Sequence, residues 1–180
     1  MKTKLSSIAL LCAVATTAFS QGLAAPGPEH KLLAGLAGTW AAETKIWHQP
    51  GQPPMVLKGT MKNELILGGR FLRSHAKAGP VERLVIHGYD RRHKRYTTTG
   101  FDSGGTYSIS TTGTYDAAKK TLTMRGKDEA PGGMTRVYEF VTRFIDKDRY
   151  VTEFYVSNKE GTKRFKMAES TAVRKRAKTE

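Results

Sequence analysis

The sequence predicts an all-β chain: an up-and-down antiparallel β-barrel of about nine or ten strands, with a short N-terminal helix capping one end. Three observations carry that expectation. Gly38-Thr39-Trp40 marks a tight turn leading into a large aromatic residue. From there to Arg174, polar and apolar residues alternate with a period of two, broken at regular spacing by Gly, Pro, Asn and Asp. Closing the sheet also removes open edges, through which strands this rich in Thr, Tyr, Val and Phe would aggregate.

Residues 1–20 read as a secretory signal peptide. Lys2 and Lys4 give a positive start, Ile8 to Val14 a short apolar core, and Ala18-Phe19-Ser20 a small–x–small cleavage site. Gly22-Leu23-Ala24 is a second acceptable site, so cleavage is expected between residues 20 and 25. An apolar stretch this short cannot span a hydrocarbon core of ~30 Å. Leu11 precedes Cys12 where lipidation needs a small residue. The expected location is therefore periplasmic or secreted. Cleavage removes Cys12, the one cysteine, and with it any disulfide, thiol nucleophile or thiolate metal site.

Residues 21–29 form a Gly/Pro/Ala-rich flexible leader, 30–174 the barrel, and 175–180 a basic tail. Pro28 to Leu36 has helical spacing, with Leu32, Leu33 and Leu36 on one side, and Gly35 and Gly38 end it. In 39–48, Trp40, Ala42, Thr44 and Ile46 share a face. Met55, Leu57, Gly59, Met61, Asn63 and Leu65 alternate against Lys58, Thr60, Lys62 and Glu64, and Gly68-Gly69 permits a bend before Phe71 to His75. Leu84–Tyr89 and Tyr96–Phe101 flank a hairpin tip at 90–95. Tyr107–Tyr115, Thr121–Arg125, 135–145, 149–157 and 163–174 follow, with Ala130-Pro131-Gly132-Gly133 as a strong turn. On the late strands Tyr138, Phe140 and Phe144, then Tyr150, Phe154 and Val156, then Phe165, Met167 and Val173 are expected to face inward. By the same alternation Glu169 points inward, and Arg70, Arg73 or Arg143 would have to neutralise it.

The formal charge of +14, or +12 once Lys2 and Lys4 are removed, favours anionic partners. Arg91, Arg92, Lys94 and Arg95 concentrate it at the hairpin tip, and the tail adds more. Export argues against nucleic acid, leaving an anionic membrane surface as the partner for a basic patch.

Several motifs together resemble the bacterial family known as domain of unknown function 1579. They are His30-x-x-Leu33-x-x-Leu36-x-Gly38-Thr39-Trp40, Ile66-Leu67-Gly68-Gly69-Arg70-Phe71-Leu72 and Gly88-Tyr89-Asp90. Gly113-x-Tyr115-Asp116, Asp148-Arg149-x-x-x-Glu153-Phe154-Tyr155 and Lys166-Met167-x-Glu169-x-x-x-x-Arg174 complete the set. The resemblance implies a lipocalin-like, calycin-type barrel and no particular reaction. Phe101 stands where relatives tend to carry Trp. The Gly-x-Trp start also looks like the lipocalin signature, in which a late arginine covers the indole; here Trp40 and Arg174 would form that pair, with Gly38, Trp40, Glu169 and Arg174 as structural residues.

Chemistry-bearing patterns are sparse. The histidines lack His-x-His or His-x-x-x-His spacing, so no metal and no cofactor are expected. There is no Gly-x-Ser-x-Gly elbow, and no catalytic residues are assigned. The leading expectation is a non-enzymatic exported protein whose barrel cavity holds a small, mostly apolar molecule, with an acidic group if the mouth is basic. Trp40, Met61, Phe71, Tyr107, Phe140 and Phe154 are its expected lining, and Arg73, His75 and Asp102 its orienting polar groups. The alternative is a filled-barrel scaffold whose basic tip and tail bind anionic envelope lipid or a protein partner. An enzyme working inside the barrel stands third.

Overall fold

The computed structural model describes residues 25–130 and 133–176. The signal-peptide expectation and the last residues of the tail lie outside the described residues. Helix α1 (His30–Gly35) is followed by β1 (Gly38–Ile46), β2 (Met55–Ile66), β3 (Phe71–Ala78), β4 (Val81–Asp90) and β5 (Arg95–Asp102). Then come β6 (Ser108–Asp116), β7 (Thr121–Ala130), β8 (Met134–Asp146), β9 (Arg149–Asn158) and β10 (Phe165–Arg174). Each strand pairs antiparallel with the next, and β1 pairs with β10, which closes the ring. The predicted all-β barrel with a short helix is what forms.

The helix ends where Leu36 and Ala37 donate to the Leu33 and Ala34 carbonyls. Gly38 then takes φ +119°, a left-handed conformation that side chains other than hydrogen rarely adopt. A Cβ there would also meet Arg174 Nη1 at 2.8 Å. The glycine lets β1 leave the helix at a sharp angle, directly beneath Arg174.

Residues opposite one another across a ladder share a face, so the register sorts inside from outside. Starting from buried Trp40, the ladder runs to Met61 and then Ala76. Buried Leu72 pairs with His87, and His87 with Thr98. Buried Met124 pairs with Phe140, and Phe140 with Phe154. The apolar core sits at the helix end, where Leu33 packs with Leu72, Tyr96, Leu122 and Met124.

Three expectations are corrected by this register. Phe71, Arg73 and His75 occupy the outer face of β3, because Leu72, Ser74 and Ala76 point inward. Glu169 also faces outward: a β-bulge between Lys166 and Ala168 inserts one residue and resets the alternation. Past the bulge, Ala168, Ser170 and Ala172 face inward, and Val173 lies outside, 46% exposed. Strands β3, β4 and β7 are also longer than predicted. The charged run Lys127-Asp128-Glu129 stays in β7 because β8 pairs with it as far as Met134.

Candidate functional site: a lumen sealed at one end

Antiparallel connectivity puts α1 and the β2–β3, β4–β5, β6–β7 and β8–β9 turns at one end of the barrel. That end is plugged. Trp40 is 1% exposed, and its Nε1 donates to the Leu36 carbonyl at 2.9 Å, as does Asn63 Nδ2. The Arg174 guanidinium lies 4.2 Å from the indole centre. It donates to the Ala37 carbonyl at 2.5 Å, the Gly35 carbonyl at 2.6 Å and Asp148 Oδ1 at 2.9 Å. The orphan carbonyls at the helix C-terminus are thereby satisfied by the barrel itself. On the other side of α1, the Tyr96 hydroxyl donates to the Glu29 carbonyl at 3.1 Å, and burial raises the Tyr96 hydroxyl to about 12.

Above this plug the inner wall turns polar, with neutral groups. Thr142 and Thr152 hydroxyls are 2.9 Å apart, as are those of Thr44 and Ser170. His87 faces the lumen beside Thr98, Oγ1 to Nδ1 3.3 Å, and burial lowers its imidazole to about 4. It is therefore uncharged at neutral pH. Among the described residues, the buried Thr111 Oγ1 and Asn63 Oδ1 have no hydrogen-bond partner.

Towards the opposite end the wall becomes aromatic and aliphatic. Phe140 and Phe154 stack 4.5 Å apart at 12°, and Tyr138 stacks on Phe154 at 5.9 Å. Tyr138 donates to Asp128 Oδ2 at 2.7 Å; burial and then this carboxylate raise its hydroxyl to about 12. Inward-facing Val85, Ile109, Phe140, Phe154 and Val156 all remain partly exposed. The inward apolar side chains of this end thus keep some contact with solvent.

The expected lining residues therefore divide. Phe140 and Phe154 line the lumen towards the far end. Asp102 stands at its rim, 3.7 Å from Arg83, and Tyr107 lies on the rim, 62% exposed. Trp40 and Met61 belong to the plugged end, where the Tyr150 hydroxyl approaches Met61 Sδ at 4.0 Å. Phe71 covers Gly88 on the outer wall, Arg73 pairs with Glu64, and His75 Nε2 is 2.6 Å from Glu82. Glu169 binds Lys166 at 2.7 Å, on the outside. Tyr138 faces inward as expected, while sequence reasoning missed His87, Thr111 and Asp128 as lumen groups. Alternation on β4 could not settle the first, since Leu84 and Ile86 are as apolar as Val85 and Tyr89.

The basic tip is not at the mouth. Arg91, Arg92, Lys94 and Arg95 sit on the β4–β5 turn beside α1, with Arg91 Nη1 3.5 Å from the Ala25 carbonyl. Asp90 is bonded by His93 and Arg92, which hold its carboxyl well below the usual range. Two surface clefts flank α1, of about 440 and 660 Å³, and both include Lys31, Leu32 and Tyr115. The first is lined by Arg174 and by the inward-facing Trp40, Phe144 and Tyr150.

Fold and site together define a lipocalin-like ten-stranded barrel, with a helix and a Trp–Arg pair packed across one end. Residues 25–174 match the family described as Protein of unknown function (DUF1579), and the chain belongs to it. No curated protein matches the chain in sequence. Among solved structures, Rv2717c from M. tuberculosis is similar at 15% identity and TM-score 0.59, over 83% of this chain and 99% of that one. The S-type phycobiliprotein lyase CPES from Guillardia theta is similar at 10% identity and TM-score 0.50, over 83% of this chain and 94% of that one. At such identities the likeness is one of fold.

Proposed function

We propose that this protein is a non-enzymatic, exported binding protein that holds a small, mostly apolar molecule in the half of its barrel away from the helix. One observation carries the reading: aromatic and aliphatic side chains face inward around Phe140 and Phe154 yet stay partly exposed. A folded chain gains by covering such surface, at roughly 25 cal/mol per Å², and a ligand of matching shape would do so. Thr111 and His87 supply neutral hydrogen-bonding groups deeper in. The similar barrel of a phycobiliprotein lyase supports a small-molecule role for this fold. Export rests on the Lys2–Ser20 pattern, and localisation would be periplasmic or secreted.

An acidic group on the ligand would not meet the 91–95 cluster, which is at the plugged end. Such a group would meet Arg83 and Arg136 near the rim instead. Native mass spectrometry of the freshly purified chain tests the proposal. A retained small molecule, released by organic solvent, is expected. A chain that is empty in every preparation and takes up no apolar probe would refute it.

A further inference from the structure

We propose that the plugged end of the barrel docks on the surface of an anionic phospholipid bilayer, with the mouth at the far end turned away from it. The inference stands on charge placement and is independent of what the lumen holds. Up-and-down connectivity gathers alternate turns at one end, and here those turns share a sign. Arg91, Arg92 and Lys94 lie on β4–β5, Lys120 on β6–β7, Lys147 on β8–β9, and Lys175 and Arg176 follow β10. All of these are exposed.

Apart from Glu29, whose buried Oε2 has no hydrogen-bond partner, the acids at the same end are engaged. Asp90 is bonded by Arg92 and His93, Asp116 by Lys119, and Asp148 by Arg174. What faces outward is an excess of cation. The far end is mixed: Glu82, Asp102, Asp128, Glu129 and Glu160 stand among Arg83, Lys127, Arg136, Lys159, Lys163 and Arg164. The asymmetry, rather than the overall charge, singles out one end.

A second feature separates a bilayer from a soluble polyanion. Leu67, at the tip of the β2–β3 turn, is 69% exposed beside Arg70. An apolar tip ringed by cations suits the headgroup region, where charge binds phosphate and a leucine enters the acyl boundary. A nucleic acid backbone offers that leucine nothing.

The test is co-sedimentation of the full chain with vesicles of equal parts phosphatidylglycerol and phosphatidylcholine, against phosphatidylcholine alone. Binding is expected to the anionic vesicles only and to weaken as salt is raised. Each cation near such a surface is worth about fivefold in affinity, so Arg91→Ser/Arg92→Ser/Lys94→Ser should lose roughly a hundredfold. Lys159→Ser/Lys163→Ser, at the mouth, should leave binding unchanged. For orientation, the emission added by Leu67→Trp should be quenched by brominated lipid, and that added by Met134→Trp should not. Equal binding to neutral vesicles, equal loss on neutralising the mouth, or quenching at position 134 instead of 67 would overturn the proposal. So would a duplex oligonucleotide that binds as tightly as the vesicles and is indifferent to Leu67→Ser. Unchanged thermal midpoints show that each variant is folded.

Discussion

Arg174 and Trp40 form the closure of the barrel: the guanidinium covers the indole at 4.2 Å while donating to two carbonyls of the helix exit and to Asp148. Lysine keeps the charge but cannot reach this planar set of acceptors. Arg174→Lys should therefore lower stability by about 2–3 kcal/mol. Urea unfolding monitored by far-UV dichroism measures it, and a loss under about 0.5 kcal/mol would show that the clamp holds nothing.

The outward orientation of Glu169 has an energetic signature. Outside the wall it pairs with Lys166, which is itself raised above its ordinary range, first by this bond. Ion pairs on an outer face that water still reaches contribute about 0–1 kcal/mol. Glu169→Gln should thus change the urea midpoint little. A loss of about 3 kcal/mol or more would mean a buried, paired carboxylate and an unbulged β10.

His87 links stability to pH. Its imidazole titrates at about 4 in the folded chain because of burial, against an ordinary 6.5. Between these values the unfolded chain binds more protons, so stability falls as pH drops from 6.5 towards 4. Allowing for water that reaches the ring, the loss is about 2 kcal/mol. Thermal melts of the parent should show this slope, and His87→Gln should flatten it. The depressed carboxylates act in a lower window. Burial raises Glu139, but Arg164 and Arg125 outweigh it, so Glu139 contributes stability that is lost only as pH falls through its lowered range.

Much of the architecture was legible because alternation, turn residues and the Gly38–Trp40 start all agree with one closed sheet. What stayed hidden was orientation. On β3 the larger side chains Phe71, Arg73 and His75 look like lining, yet the register with β2 and β4 puts the smaller set, Leu72, Ser74 and Ala76, inside. On β10 no glycine or proline marks the bulge at Met167, so Glu169 and Val173 were assigned to the wrong face. The basic 91–95 turn was found as a cluster, but only the strand count between it and α1 decides which end it occupies.

Blocking the lumen should separate binding from folding. Gly100 faces inward between Val85 and Ile109, and an added Cβ there meets nothing closer than Val85 Cγ2 at 3.6 Å. Gly100→Leu should fold and yet fill the space a ligand needs. Its melting temperature should stay within a few degrees of the parent, as expected for a change of about 1 kcal/mol.

Fluorescence titration with N-phenyl-1-naphthylamine, a neutral apolar probe, compares the parent chain with Gly100→Leu and Phe71→Ala. Saturable uptake of one probe per chain by the parent and by Phe71→Ala, abolished in Gly100→Leu, is the predicted result. Absence of uptake by the parent, or uptake that survives in Gly100→Leu and disappears in Phe71→Ala, would contradict a ligand-holding lumen.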